Sequence, residues 1–249
     1  DHGGATLSSV KRAVLLLTVA LVVGCTPHPP DATVLFIGNS YTFYNNLPQM
    51  VSELGASLDM RIEVESVTKG GAGLRDHLGD GVAGERIKSG DFDYVVVQEQ
   101  SALPSDVNAA HELMFPAAIN LASLAAASGA QLVLFETWGH RSGFAQTGHF
   151  DYWSMQRAII STYNELSTLL GKPVAPAGEA WLLSLQTNPG IRLHDADDSH
   201  PTLEGSYLAA LVITATITGR SPEEMSVDLG VPAETARQLR ISATSVMAP

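Results

Sequence analysis

Cysteine is almost absent from this chain: one residue, Cys25, in 249. A lone cysteine closes no internal disulfide, and it supplies no thiolate cluster for a zinc or iron–sulfur site. Charge is also sparse, at 16% of residues, and one-sided, with 14 Lys and Arg against 26 Asp and Glu. A surface of net charge −12 repels polyphosphates and acidic polymers, so nucleic acid is not an expected partner. Aromatic residues make up only 6%, yet 45% of the chain is hydrophobic, enough for a sizeable core. No internal repeat or extended low-complexity segment is visible.

The one marked apolar run comes early. Lys11-Arg12 precede Ala13 to Val23, followed by Gly24-Cys25. A basic start, a short apolar stretch and a small residue before the cut have the anatomy of a secretory signal, and the run is too short to span a bilayer comfortably. Val22-Val23-Gly24-Cys25 further resembles a bacterial lipobox, which implies lipidation of Cys25 and an exported, membrane-tethered protein. Residues 1–25 are therefore expected to be a signal segment and 26–31 a Pro-rich tether. Residues 32–249 are expected to form one domain that includes a C-terminal helical element at 221–249.

From Ala32 onward, strand-like and helix-like segments alternate. Strands are expected at Thr33–Ile37, Arg61–Val67, Tyr94–Gln98, Gln131–Glu136 and Pro173–Ala175, several of them continuous apolar runs. Helical periodicity covers Leu47–Leu58, Asn108–Ser128, Tyr152–Gly171 and Leu203–Gly219. This order predicts a three-layer α/β/α sandwich around a five-stranded, mainly parallel sheet, with ligands gathering at the carboxyl ends of the strands.

Val34-Leu35-Phe36-Ile37-Gly38-Asn39-Ser40 is an apolar strand that delivers a serine to that rim, and Asp197-Asp198-Ser199-His200-Pro201 places an aspartate three residues before a histidine. Ser40, His200 and Asp197 can together form a nucleophile, base and orienting acid. Gly38-Asn39-Ser40 and Asp197-x-x-His200 resemble the first and last blocks of the SGNH (GDSL-type) hydrolases. Gly71-Ala72-Gly73 sits where that family keeps an oxyanion glycine. Gln98-Glu99-Gln100-Ser101 stands where most members carry Gly-x-Asn-Asp, a departure from the commonest pattern.

The resemblance implies a flavodoxin-like fold and a serine esterase acting through an acyl-enzyme intermediate. It further implies an oxyanion hole built from Ser40, Gly71 or Gly73, and Gln98, with Gln100 as the alternative donor. Tyr41 and Trp138, with Phe43 and Tyr44, are candidates to wall the substrate pocket; Trp181 reads as core. A small-molecule or glycan ester is the expected substrate, with short acyl groups or glycan O-acetyl groups favoured. The alternatives are a lipase or thioesterase for longer chains and a non-catalytic carbohydrate-binding lipoprotein. No cofactor and no metal is expected. The G-x-S-x-G elbow lacks its second glycine, the dinucleotide fingerprint is incomplete, and Asp195-x-Asp197-x-Ser199 meets His200 where a calcium loop needs glycine.

Overall fold

A computed structural model describes residues 1–3 and 29–247. The signal segment, Cys25 and the start of the tether lie outside the described residues, apart from 1–3. In chain order the regular elements are β1 (Ala32–Gly38), α1 (Ser40–Phe43), α2 (Leu47–Ala56), β2 (Ile62–Thr68), α3 (Leu74–Gly79), α4 (Val82–Ser89) and β3 (Tyr94–Val97). They continue with α5 (Val107–Ala109), a π-helical turn at Ala110–Met114, α6 (Phe115–Ala127), β4 (Gln131–Glu136), α7 (Tyr152–Leu170), β5 (Val174–Pro176), α8 (Ala177–Thr187), α9 (Leu203–Thr218) and α10 (Ala233–Met247).

All five strands run parallel in the order β2-β1-β3-β4-β5, so the expected three-layer α/β sandwich is the observed fold. Alternation along each central strand divides the core in two. Val34 and Phe36 of β1, Val96 of β3 and Val133 and Phe135 of β4 face α2, α8, α9 and α10. Leu35, Ile37, Val95, Val97, Leu132 and Leu134 face α3, α4, α6 and α7. Strands buried on both faces carry near-continuous Val, Leu and Ile for this reason. The edge strand β2 is different: Glu63 and Glu65 project to solvent and pair with Arg61 and Arg86, and such charges discourage pairing with a further strand.

Helix α9 is buried along nearly its whole length because it lies among α2, α8 and α10 as well as the sheet. Its apolar residues consequently surround the axis rather than forming one stripe. From β1 the chain moves to one side to form β2 and then crosses back to the other side to form β3, which makes the β1/β3 boundary the topological switch point. A crevice is expected there at the strands' carboxyl ends.

Candidate active site

Strand β1 ends at Gly38 beside the switch point, and a tight turn follows. The Asn39 side chain accepts the Tyr41 N–H at 3.0 Å and donates to the Ala72 carbonyl at 2.9 Å, tying the turn to the loop after β2. Gln98, at the end of β3, accepts the Asn39 N–H at 2.8 Å and the Thr42 hydroxyl at 2.9 Å. A Cβ at residue 38 would lie 2.3 Å from the Thr42 oxygen and 2.6 Å from Gln98 Oε1, so only glycine fits between strand and turn. The turn leaves Ser40 as the first residue of α1.

Opposite it, the loop Asp195–His200 is closed at its base by an antiparallel bridge between His194 and Pro201 and by the Asp195 N–H donating to the His200 carbonyl at 2.8 Å. At the tip, Asp198 adopts a left-handed backbone (φ 64°). Arg141 grips it through an ion pair of 2.6 Å, and the Ser142 hydroxyl donates to it at 3.0 Å. His200 Nε2 lies 2.8 Å from Ser40 Oγ, and His200 Nδ1 lies 2.5 Å from Asp197 Oδ2. The other Asp197 oxygen accepts the Ser199 and His200 N–H groups at 3.1 and 2.9 Å. Partial burial pushes the Asp197 carboxyl upward, but the His200 and backbone hydrogen bonds outweigh it and hold the group at about 2. Asp197 is thus ionised at neutral pH and can fix the histidine tautomer. Tyr44 stacks on the imidazole at 4.2 Å and adds a second constraint on the ring.

Four sequence expectations are corrected by these contacts. Gln98 is fully buried beneath the Ser40 turn; its oxygen is committed to Asn39 and Thr42 and its nitrogen donates to the Glu99 carbonyl, so it supports the backbone of that turn and cannot face an oxyanion. The Gly73 N–H is occupied by Asp76 Oδ2 at 2.9 Å, in the capping box that opens α3. Tyr41 and Trp138 are 2% and 0% exposed and wall no open pocket. They form a stack instead, Tyr41 on Trp138 at 4.7 Å and Trp138 on Trp181 at 4.0 Å. From that stack the Tyr41 hydroxyl meets Ser199 Oγ at 2.7 Å and Trp138 Nε1 donates to the Ser199 carbonyl at 3.0 Å. The two rings brace the loop that carries His200.

Among the described residues, the Ser40 and Gly71 N–H groups donate to no protein acceptor, which leaves them as the backbone donors of the original set. Gln100 is the alternative side-chain donor. Its oxygen accepts the Ala102 and Leu103 N–H groups at 2.9 and 3.0 Å, while its nitrogen is 3.3 Å from Ser101 Oγ. Ser101 in turn lies 3.1 Å from His140 Nε2, and burial lowers the His140 pKa so that the ring is neutral.

Three supporting residues had no signal in the sequence. Glu99 is 1% exposed and accepts the Gln100 N–H at 2.6 Å and the Leu74 N–H at 3.2 Å; burial pushes its carboxyl up to about 7. It is why residue 73 is glycine, since a Cβ there would sit 2.3 Å from Glu99 Oε1. His140 has no metal-ligand partner at a recognised spacing, and sequence spacing does not report its contact with Ser101 across two loops. Asn45 was unmarked, yet its amide donates to the Pro201 and Thr202 carbonyls and to Ser206 Oγ, joining the end of α1 to the start of α9.

No family model matches the chain, and no curated protein matches it. Solved structures do. A DUF4886 family protein from Bacteroides uniformis superposes with a TM-score of 0.75 at 19% identity, over 86% of this chain and 94% of the other. A candidate SGNH hydrolase from Slackia heliotrinireducens gives 0.62 at 27% identity over 75% and 98%. An acetylxylan esterase from Geobacillus stearothermophilus, solved as a catalytic mutant, gives 0.54 at 15% identity over 76% and 95%. The order of the sequence blocks, the parallel sheet and the likeness to these structures agree, and the chain has the fold of the SGNH (GDSL-type) hydrolases.

Proposed function

We propose that the protein is a serine esterase that cleaves short acyl esters, glycan O-acetyl groups among them, with Ser40 as nucleophile, His200 as general base and acid, and Asp197 as the orienting carboxylate. The observation that carries this reading is the continuous hydrogen-bond relay from Ser40 Oγ through His200 to Asp197. In the first half-reaction His200 Nε2 takes the Ser40 proton as Oγ attacks the ester carbonyl, and the imidazolium returns that proton to the departing alcohol. In the second, water repeats the attack on the acyl-serine and releases the acid. Developing charge on the carbonyl oxygen falls to the Ser40 and Gly71 N–H groups, with Gln100 or Ser101 as the side-chain complement. The likeness to an acetylxylan esterase supports acetyl esters of glycans as the substrate class.

The test is a panel of p-nitrophenyl esters from acetate to long chains, run with wild type and Ser40→Ala. Wild type should hydrolyse acetate best, and Ser40→Ala should lose activity by up to roughly 10⁶-fold in turnover with an unchanged far-ultraviolet spectrum. Substantial residual activity in the variant overturns the assignment of Ser40, and a preference for long chains overturns the acetyl reading.

We further propose that the protein is exported and anchored through lipid on Cys25, a reading supported by the sequence pattern at residues 11–25. Metabolic labelling with a radioactive fatty acid should mark wild type and not Cys25→Ser. Equal labelling of the two excludes the anchor.

A further inference from the structure

A cavity of about 320 Å³ opens beside the loop that carries Asp197 and His200. Arg141, Tyr152, Trp153, Leu185, Ile191, Arg192 and His194 are among its lining residues. Two of these belong to the loop's own support: His194 forms the bridge at its base, and Arg141 holds Asp198 at its tip. The cavity therefore shares a wall with the loop that positions the base.

Its lining is unusual for this molecule. The chain carries nearly two acidic groups for every basic one, and several of its arginines are neutralised by a carboxylate, Arg61, Arg86, Arg141, Arg220, Arg237 and Arg240 included. Arg192 is exposed and, among the described residues, its guanidinium has no partner. Beside it Trp153 is 39% exposed and is held edge-on against the buried Tyr152 ring at 5.2 Å. An open indole face offers a platform for the C–H surface of a sugar ring, and an unpaired guanidinium matches a carboxylate in a two-point fork. The volume lies at the small end of ligand pockets, which span about 300–1,000 Å³, and suits one or two rings rather than a long chain.

We infer that this cavity is a subsite for a sugar residue bearing a single carboxylate, a uronate, within the glycan whose ester is presented to Ser40. Trp153 stacks on the ring and Arg192 pairs with the carboxylate. The overall negative charge of the protein opposes polyanions, so the subsite selects a sparsely charged glycan: a local cation captures one carboxylate where the whole surface would repel many. The inference takes from the esterase reading only the direction in which the glycan extends.

Binding separates the two readings. Cellobiouronic acid and cellobiose differ by one carboxylate, and their affinities for the full chain carrying Ser40→Ala are measured by calorimetry at low salt. The acid should bind roughly tenfold more tightly than the neutral sugar. Adding Arg192→Gln should abolish that difference and Arg192→Lys should restore part of it, whereas Lys172→Gln, in the link between α7 and β5, should leave it intact. Equal affinity for the two sugars, or a preference that survives Arg192→Gln, overturns the inference. Because the nucleophile is absent from every protein used, failure of ester hydrolysis in wild type would sink the esterase reading and leave this result standing.

Discussion

Two adjacent aspartates show how finely a single residue's role is set. Asp197 and Asp198 are both on the loop, but one faces the His200 ring and the other faces Arg141 and Ser142. Asp197→Asn keeps the shape and loses the negative charge that stabilises the imidazolium, so turnover should fall by roughly 10⁴-fold. Asp198→Asn weakens only an exposed anchor and should leave most of the activity; initial rates on p-nitrophenyl acetate distinguish the two. If Asp198→Asn were the crippling change, the relay drawn here would be wrong. Ser40, Asp197 and His200 were legible in the sequence because a small family of chemical types recurs in a fixed order. Gln98 was not, because period-two alternation puts Gln98 and Gln100 on one face without saying which of them turns inward under the Ser40 turn. The aromatic assignments failed for a related reason: sequence shows that Tyr41 and Trp138 stand near strand ends and hides that they stack on each other.

At the scale of elements, the strands were readable nearly to their ends, since β1, β3 and β4 are apolar runs between breakers. Helices α1, α3, α4 and α8 were missed. Helix α1 is a single turn, α3 and α4 are short and carry several charged or glycine residues, and α8 follows β5 directly at Ala177, leaving no loop to mark its start. The loop between β2 and α3 is pinned by Glu99, and that contact gives the site a pH dependence of its own. The carboxyl titrates at about 7 when folded against an ordinary value of 4.5, so the folded protein holds this proton more tightly than the unfolded chain. The resulting stability is fully present below about 4.5 and is lost as pH rises through 7, by ~3 kcal/mol for a shift of this size. Glu136, buried and likewise shifted upward, adds to the same slope. Glu99→Gln should therefore be as stable as wild type at pH 4.5 and more stable at pH 8, as read from melting temperatures. A variant whose melting curve tracks wild type across that range would show that Glu99 ionises normally.

For the whole molecule, the two cores on either face of the sheet share no side chains, and the two halves of the Ser40–His200–Asp197 relay have separate supports. The Ser40 turn rests on β1 and on Gln98 at the end of β3, whereas the His200 loop rests on the column Tyr41–Trp138–Trp181 in the core shared with α8 and α9. Trp138 and Trp181 are parallel to within 2° at 4.0 Å, and Trp181 meets His194 edge-on at the base of that loop. Two indoles so close and so aligned do not absorb independently. Their transitions couple, and the pair acts as a built-in optical gauge. The folded protein should show an exciton contribution to its near-ultraviolet circular dichroism that Trp181→Phe removes. Since the same Trp138 is hydrogen-bonded to Ser199, any opening of the loop that frees His200 and shifts the Trp138 ring should alter that signal.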